Sequence, residues 1–346
     1  MLHFLLGPTP DKFLFSFNGL LVNFISMKYM YSLILSGILF FSGINATAQS
    51  VADFSVVDEH VKSLGPLDTL NMGTISYIVT KQFPDPQDKV RAIYDWITNN
   101  ISFDIKAGRN NDNEKNGSDL VLKTRKATSA GYAALFQDMC SVVKIRCLTV
   151  DGYAKYNAEQ IIEKPDEMNH TWVVVQLGES PDKWYYVDPT WGSGYTDDKM
   201  TKFTKAFSDA YFFSDRTIFN YQHYPDNGAW QFGPGPKNEN SFFSFPLVKT
   251  AAYEFMVSKF SPANGFIKAK LNHAVSFNIK LSTGAEIEIV SLEIGEGKKK
   301  KIKTVDYSFS RGTLAFNYKF DEETSSPVTV LINNKPVLGY MAEISE

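Results

Sequence analysis

The chain has 346 residues, of which 44% are hydrophobic and 21% are charged. At roughly 150 residues per domain this length suggests about two domains, and the composition excludes disordered and collagen-like proteins. The formal net charge of -3 gives no basic excess that would predict binding to nucleic acid or anionic lipid. Two cysteines in so long a chain also exclude a disulfide-rich domain and a Cys-rich zinc module.

Residues 1–48 have the pattern of a secretory targeting segment. Lys28 precedes a fourteen-residue apolar run over 31–44, and Ala46-Thr47-Ala48 supplies a small-x-small cleavage pattern. The run is shorter than the about 20 residues that span a bilayer. We therefore expect an exported protein (periplasmic, cell-surface or extracellular) that begins at Met1 or Met27 and has no stable membrane span after cleavage. An uncleaved anchor that joins this run to the apolar stretch 13–25 is the alternative.

Two amphipathic helices are predicted in the first half of the remaining chain. Asp85 and Pro86 suit the N-cap and first position of a helix, and apolar residues follow at helical spacing at 90, 93, 94 and 97. A second apolar stripe, at 132, 136, 139 and 143, predicts a buried helix that begins near Ser129. The polar stretch 109–118 between the two helices is a candidate loop or lid.

From residue 145 onward the hydrophobic pattern is that of strands. Alternation over 146–150 predicts one strand, and the segments 171–177 and 183–187 predict an antiparallel hairpin around the turn 178–182. Further alternation after about residue 246 predicts an antiparallel β-sandwich. The fold class is therefore α+β, with a first domain over 49–245 and the sandwich over 246–346.

A histidine and an aspartate lie at matching ends of the predicted hairpin. His170 opens one strand, Asp188 follows the other, and symmetry about residue 179 places the two opposite each other with Cβ atoms roughly 5 Å apart. A carboxylate that orients an imidazole is the second half of a nucleophile-His-Asp triad. Chance pairing of a surface histidine with a turn aspartate is the alternative.

Four segments in order resemble the catalytic core of the transglutaminase-like superfamily, and its kyphoscoliosis-peptidase-like branch in particular. They are YDWITNNISFD at 94–104, KATSAGYAALF at 126–136, HTW at 170–172 and WYYVDPTWG at 184–192. The downstream strings YFF at 211–213 and HYPDNGAWQ at 223–231 are similar to that branch as well. The resemblance covers roughly residues 85 to 232.

This resemblance implies a papain-like core, with helices packed on an antiparallel sheet, in which Cys, His and Asp catalyse acyl transfer on amides. His170 matches the general base and Asp188 the residue that orients it, whereas Ser129 occupies the nucleophile position. A serine in a site built for a thiolate inherits the wrong protonation state, so we expect it to lose orders of magnitude in rate. The alternative role of Ser129 is an ordinary helix N-cap. Cys140 and Cys147 are expected to be buried structural residues.

These observations favour a non-catalytic protein that binds a peptide, a protein or a cell-wall peptide, or that acts as a scaffold. We expect the ligand to lie in a cleft lined by Trp172, Trp191 and Tyr132. The alternative is an active amide or ester hydrolase or acyl transferase with the triad Ser129, His170 and Asp188. A third reading is a structural envelope protein in which the sandwich is the working part.

No cofactor and no metal ion are expected. His223 and Asp226 have a metal-like spacing, but two residues without a further His or Cys nearby do not make a site. The sequence contains neither a Walker loop nor a Gly-rich dinucleotide turn.

Overall fold

A computed structural model describes residues 53–110, 116–179, 183–197 and 200–346. The predicted targeting segment 1–48 lies outside the described residues, as do positions 111–115 of the candidate lid and 180–182 of the hairpin turn. Contacts group Asp53–Glu346 into one unit, within which the domain boundary at residue 246 stays a prediction. Among the described helices, none has the length and apolar character needed to cross a membrane.

The described part of the chain contains ten α-helices, most of them short. They are α1 (Ser55–Leu64), α2 (Met72–Thr80), α3 (Pro86–Asn100), α4 (Ile105–Arg109), α5 (Ser118–Thr124), α6 (Ser129–Val142), α7 (Pro189–Ser193), α8 (Arg216–Gln222), α9 (Glu239–Ser244) and α10 (Ala251–Glu254). The predicted start of α3 is confirmed, because the Asp85 side chain accepts from the Gln87 backbone N–H and Pro86 is the first helical residue.

The strands fall into an N-terminal and a C-terminal group. The first group is β1 (Ser102–Phe103), β2 (Lys126–Ala127), β3 (Arg146–Ala154), β4 (His170–Gln176), β5 (Trp184–Val187), β6 (Gly194–Thr196), β7 (Phe203–Lys205) and β8 (His223–Pro225). The second is β9 (Leu247–Val248), β10 (Lys259–Ser261), β11 (Phe266–Lys270), β12 (Ala274–Lys280), β13 (Val290–Ile294), β14 (Lys301–Thr304), β15 (Ser308–Ser310), β16 (Thr313–Lys319), β17 (Thr324–Ile332) and β18 (Lys335–Ser345).

Helices α1 to α3 and α6 share one hydrophobic core with one face of an antiparallel sheet of order β5-β4-β3-β8. The predicted β4/β5 register is wrong by two residues: Val173 pairs with Val187, and the Leu177 backbone N–H donates to the Lys183 carbonyl, so the hairpin is centred one residue later than predicted. A two-residue shift leaves every side chain on its predicted face. His170 and Asp188 therefore still lie on a common side.

The C-terminal strands form two sheets that pack face to face, in the orders β10-β12-β16-β15 and β11-β18-β17-β13-β14, with β9 paired to β18. Phe277 stacks on Phe316 in the first sheet and meets Tyr340 of the second edge-on, with ring centroids 5.6 Å apart. The predicted α+β class and the C-terminal sandwich are confirmed. The sandwich is not wholly antiparallel, because β11 and β18 are far apart in sequence and pair in parallel.

A buried lysine joins β3 to the segment that leads into the sandwich. Lys155 is 2% exposed, and its Nζ donates to the carbonyls of Phe242 (2.7 Å), Phe245 (2.7 Å) and Pro246 (3.2 Å). Burial lowers the pKa of Lys155 to about 7, whereas three carbonyl acceptors, one for each ammonium proton, favour the charged form. Lys155 is thus a fixed hydrogen-bonding hub.

We expect Lys155→Met to lower the free energy of unfolding by about 2–4 kcal/mol, because three carbonyls lose their donor while the apolar volume is kept. Urea denaturation followed by circular dichroism measures the change. Lys164→Met, which removes an exposed lysine paired with Glu239, is the control and should change little. Equal effects of the two substitutions would contradict this role for Lys155.

A cluster of charged side chains ties α3 to its surroundings. The buried Arg91 guanidinium contacts Asp58 of α1 at 2.8 Å, Asp95 of its own helix at 3.0 Å and Asp209 at 2.6 Å. One cation faces three carboxyl groups, and Asp95 is the most enclosed of them. Burial, together with the neighbouring Asp58 carboxylate, raises the pKa of Asp95 to about 9. Asp95 therefore keeps its proton at neutral pH.

Because the folded state holds the Asp95 proton up to about pH 9 while an unfolded aspartate releases it near pH 4, stability contributed by this group falls as pH rises between these values. Asp95→Asn removes the titration. We expect the variant to gain about 1–3 kcal/mol relative to the parent between pH 5 and pH 8, measured by urea denaturation at both pH values. Asp119→Asn on α5 is the control, and a parallel pair of pH profiles for Asp95→Asn and its parent would refute the assignment.

Candidate active site

The three triad positions are brought to one side of the sheet by three element ends. Ser129 is the first residue of α6, His170 is the first residue of β4, and Asp188 follows β5 and caps α7. His170 Nε2 lies 2.7 Å from Asp188 Oδ2, so the predicted pairing is present despite the shifted register. Asp188 is fully buried and His170 is 4% exposed.

The Asp188 carboxylate has four hydrogen-bond donors. Its Oδ1 accepts from the backbone N–H groups of Thr190 (2.9 Å) and Trp191 (3.0 Å), and its Oδ2 accepts from Nε2 of His170 and, at 3.1 Å, from Nε2 of His223. Burial opposes ionisation, but the interactions with His170 and His223 hold the pKa of Asp188 well below its usual range. The group is therefore a buried, fully hydrogen-bonded anion.

His223 is a member of the site that the sequence reasoning missed. It opens β8, pairs with Ala154 of β3, and stacks on Phe219 with ring centroids 3.9 Å apart and planes at 9°. Burial lowers the pKa of His223 to about 4, so the ring is neutral and its single N–H faces Asp188. By spacing, His223 was compared only with Asp226, and the two residues were rejected as a metal site; the backbone N–H of Asp226 bonds the Asp151 carbonyl. The useful signal was the HYP string of the family resemblance.

His170, Asp188 and His223 offer ligand-type atoms within 4.8 Å of one another. Both imidazole nitrogens, however, lie at hydrogen-bond distance from the same carboxylate oxygen. Tetrahedral zinc, with bonds of about 2.0–2.2 Å, holds its ligand atoms evenly around the ion and not in a chain through one ligand oxygen. The arrangement therefore fits a hydrogen-bonded network better than a metal centre.

The partner of Asp188 fixes the tautomer of His170. Since the carboxylate is ionised, Nε2 carries the proton, and in the neutral ring Nδ1 is left as the acceptor. Nδ1 lies 3.1 Å from the hydroxyl of Tyr156, which is also 3.1 Å from the Asn169 carbonyl. The nitrogen through which this imidazole would act as a base is therefore already engaged.

Ser129 is placed near the base but is not coupled to it. Its Oγ accepts a hydrogen bond from the Thr171 backbone N–H at 3.3 Å. Within the described ranges, no hydrogen bond joins Ser129 to His170. The N-cap of α6 is Thr128, so the alternative reading of Ser129 as an ordinary N-cap is wrong.

Comparisons with known proteins identify the domain that holds this site. The sequence-family model described as the transglutaminase-like superfamily matches residues 74–189. Residues 74–189 belong to the transglutaminase-like superfamily. The chain is similar to kyphoscoliosis peptidase of Mus musculus and of Homo sapiens, each 33% identical over 184 residues, which is 52% of this chain and 27% of the relative.

The chain thus spans about a quarter of the length of these curated relatives. Among solved structures, a TGase crystal structure matches 53% of this chain and 42% of its own, at 17% identity and a TM-score of 0.27.

Two of the three residues predicted to line a ligand cleft belong to the packed interior of the transglutaminase-like domain. Trp172 and Tyr132 are both 0% exposed. Tyr132 is held by hydrogen bonds to the Ile101 carbonyl and to Ser193 Oγ. The prediction that they contact a ligand is not supported, because the core needs their volume. Trp191 is partly exposed, with its ring 5.4 Å from that of His170.

Neither cysteine can replace Ser129 in the transglutaminase-like domain. Cys140 and Cys147 are both buried free thiols in the core shared by α6 and β3. Burial and the neighbouring Cys140 thiol raise the pKa of Cys147, which is the opposite of what a nucleophile needs. Both residues are structural, as predicted.

We expect Asp188→Asn to destabilise the transglutaminase-like domain by about 3–5 kcal/mol. The amide has no negative charge to accept the two histidine N–H groups, and its own N–H₂ group is placed against hydrogen-bond donors. The matched control is Asp215→Asn. Asp215 also caps a helix by accepting two backbone N–H groups, at 3.0 Å each, but has no histidine on its other oxygen. Asparagine is an equally good cap, so the control should cost less than about 1 kcal/mol in urea denaturation. Similar losses in both variants would show that the histidines add nothing.

Proposed function

We propose that this transglutaminase-like domain binds a peptide or cell-wall peptide without processing it. The observation that carries the proposal is the separation of nucleophile and base: Ser129 Oγ accepts from the Thr171 N–H, while His170 Nδ1 is held by Tyr156. A serine nucleophile has no lowered pKa of its own and depends on an adjacent base that takes its proton during attack. Without that contact Ser129 is an ordinary alcohol.

A peptide ligand is supported by the neighbourhood of the site and by the similarity to proteins named peptidases. The aromatic side chains of Tyr156 and Trp191, with centroids 5.9 Å apart, are both accessible beside His170. Aromatic rings with a polar group nearby suit a partly apolar ligand that also offers N–H groups. Export, which we propose from the targeting pattern of residues 1–48, would place the protein where cell-wall peptides occur.

The second candidate function is an amide or ester hydrolase or acyl transferase that uses Ser129, His170 and Asp188. The intact 2.7 Å contact between His170 and Asp188 favours it. This candidate requires Ser129 and His170 Nδ1 to approach each other when substrate binds, as catalytic hydrogen bonds often tighten only in the complex.

A serine-directed fluorophosphonate separates the two candidates. We expect the unaltered protein to remain unlabelled at Ser129 over hours, as located by peptide mass spectrometry, while a serine hydrolase treated in parallel is labelled. A label on Ser129 that is lost in His170→Ala would overturn the binding proposal in favour of the enzyme.

The binding itself is measured by calorimetry with muropeptides and unmodified peptides. We expect saturable binding that Trp191→Ala weakens about tenfold or more, because the partly exposed ring loses its contact area. Val142→Ala, a substitution of an exposed residue at the far end of α6, is the matched control. If neither muropeptides nor unmodified peptides bind saturably, the proposal is contradicted.

A further inference from the structure

We propose that Tyr156 is a cap on His170. The Tyr156 hydroxyl occupies Nδ1, the one ring position through which the imidazole could exchange a proton with residue 129. The inference rests on the proposed non-catalytic function and deepens it. It adds a second feature that holds the site inactive, on the base and not on the nucleophile.

The competition follows from the chemistry of one ring nitrogen. Nδ1 of an imidazole has either one lone pair or one N–H, in the plane of the ring, and so serves one strong partner at a time. Nε2 is committed to Asp188 at 2.7 Å, which leaves Nδ1 as the free end. The Tyr156 hydroxyl at 3.1 Å fills that end. A side chain at position 129 must displace Tyr156 before it can exchange a proton with His170.

The cap suits either charge of the imidazole. Beside a neutral ring the Tyr156 O–H donates to Nδ1. Beside an imidazolium its oxygen accepts the Nδ1 proton, and its own O–H donates to the Asn169 carbonyl at 3.1 Å. Burial of the hydroxyl and the charge of Asp188 raise the pKa of Tyr156 well above its ordinary value, so the hydroxyl keeps its proton.

The position of Tyr156 is built by its neighbours on both sides. Lys155 before it is locked to three carbonyls, and the backbone N–H of Tyr156 donates to Gln160 Oε1 at 2.6 Å. Asn157 and Gln160 form a capping box on the 3₁₀ turn that follows. The residue as a whole is nevertheless 40% exposed and belongs to none of the hydrophobic core clusters, so its side chain can be displaced without unfolding the core. The loop contacts therefore hold the Tyr156 hydroxyl at His170 Nδ1, and the tyrosine side chain can still move away from it.

The test converts position 129 into a thiol whose pKa reports access to His170. We compare S129C with S129C/Y156F by the pH dependence of iodoacetamide alkylation, located at residue 129 by peptide mass spectrometry. With the cap in place we expect the thiol pKa of S129C to equal that of S129C/H170A, in which only the N-terminus of α6 lowers the pKa from the free value of about 8.5. Without the hydroxyl it should form a thiolate-imidazolium pair, with the pKa lowered by at least about one unit. Alkylation at pH 6.5 should then be accelerated about threefold or more, because the gain in thiolate fraction exceeds the loss in nucleophilicity.

Three controls make the comparison specific. S129C/Y153F removes a neighbouring tyrosine hydroxyl that does not contact His170 and should behave like S129C. His170→Ala in the S129C/Y156F background should restore the thiol pKa of S129C. Cys140 and Cys147, which are buried, supply the unreactive internal reference in every sample.

A thiol pKa in S129C that already lies below that of S129C/H170A, or one that Y156F fails to lower, overturns the cap. The first of these outcomes needs only S129C and S129C/H170A, so the proposal stays testable if variants that carry Y156F do not fold. Either result removes the contact between Tyr156 and His170 from the support for the non-catalytic proposal. That proposal itself is still decided separately, by fluorophosphonate labelling of the unaltered Ser129.

Discussion

One buried carboxylate organises the site. Moving an isolated carboxylate out of water costs several kcal/mol, and the cost is offset only when its oxygens are saturated with well-placed donors. Asp188 meets this condition with donors from the start of α7, from β4 and from β8. Because these donors come from separate elements, the charge fixes how the elements sit against one another.

The same charge determines what His170 can do. It holds the proton on Nε2 and leaves Nδ1 to the Tyr156 hydroxyl at 3.1 Å. The Ser129 hydroxyl bonds the Thr171 backbone N–H instead. In the proposed cap, the loop anchored by Lys155 gives the single Nδ1 position to the tyrosine.

The sequence was enough to predict α3, α6, the His170-Asp188 pair and the family, because each depends on local periodicity, strand ends or ordered motifs. The register of the hairpin was predicted wrongly, since strand symmetry does not reveal which turn hydrogen bond closes it. A shift of two residues preserves the faces, so the pairing was correct in spite of the error. The outcome for Trp172 differs: an aromatic residue beside a catalytic motif fits a cleft or a core equally well until burial is known.

His223 and Tyr156 could not be found by spacing, because each reaches the site through tertiary structure. His223 lies 35 residues beyond Asp188 and arrives by pairing of β8 with β3, while Tyr156 arrives through a loop that Lys155 ties to residues about 90 positions later. Neither contact has a local signature. Only the family resemblance pointed to the region of His223, and it assigned no role to the residue.

The coupling of stability to the catalytic motif changes how the motif is read. His170 and Asp188 are embedded in a network whose disruption leaves a buried charge without partners, so we expect both to stabilise the fold whether or not the domain turns over a substrate. We expect Ser129 to contribute much less to stability, since it is partly exposed and makes one long hydrogen bond. The presence of the His-Asp pair is therefore weak evidence for catalysis, and the proposed function depends on the residue at position 129 and on the Tyr156 hydroxyl at His170 Nδ1.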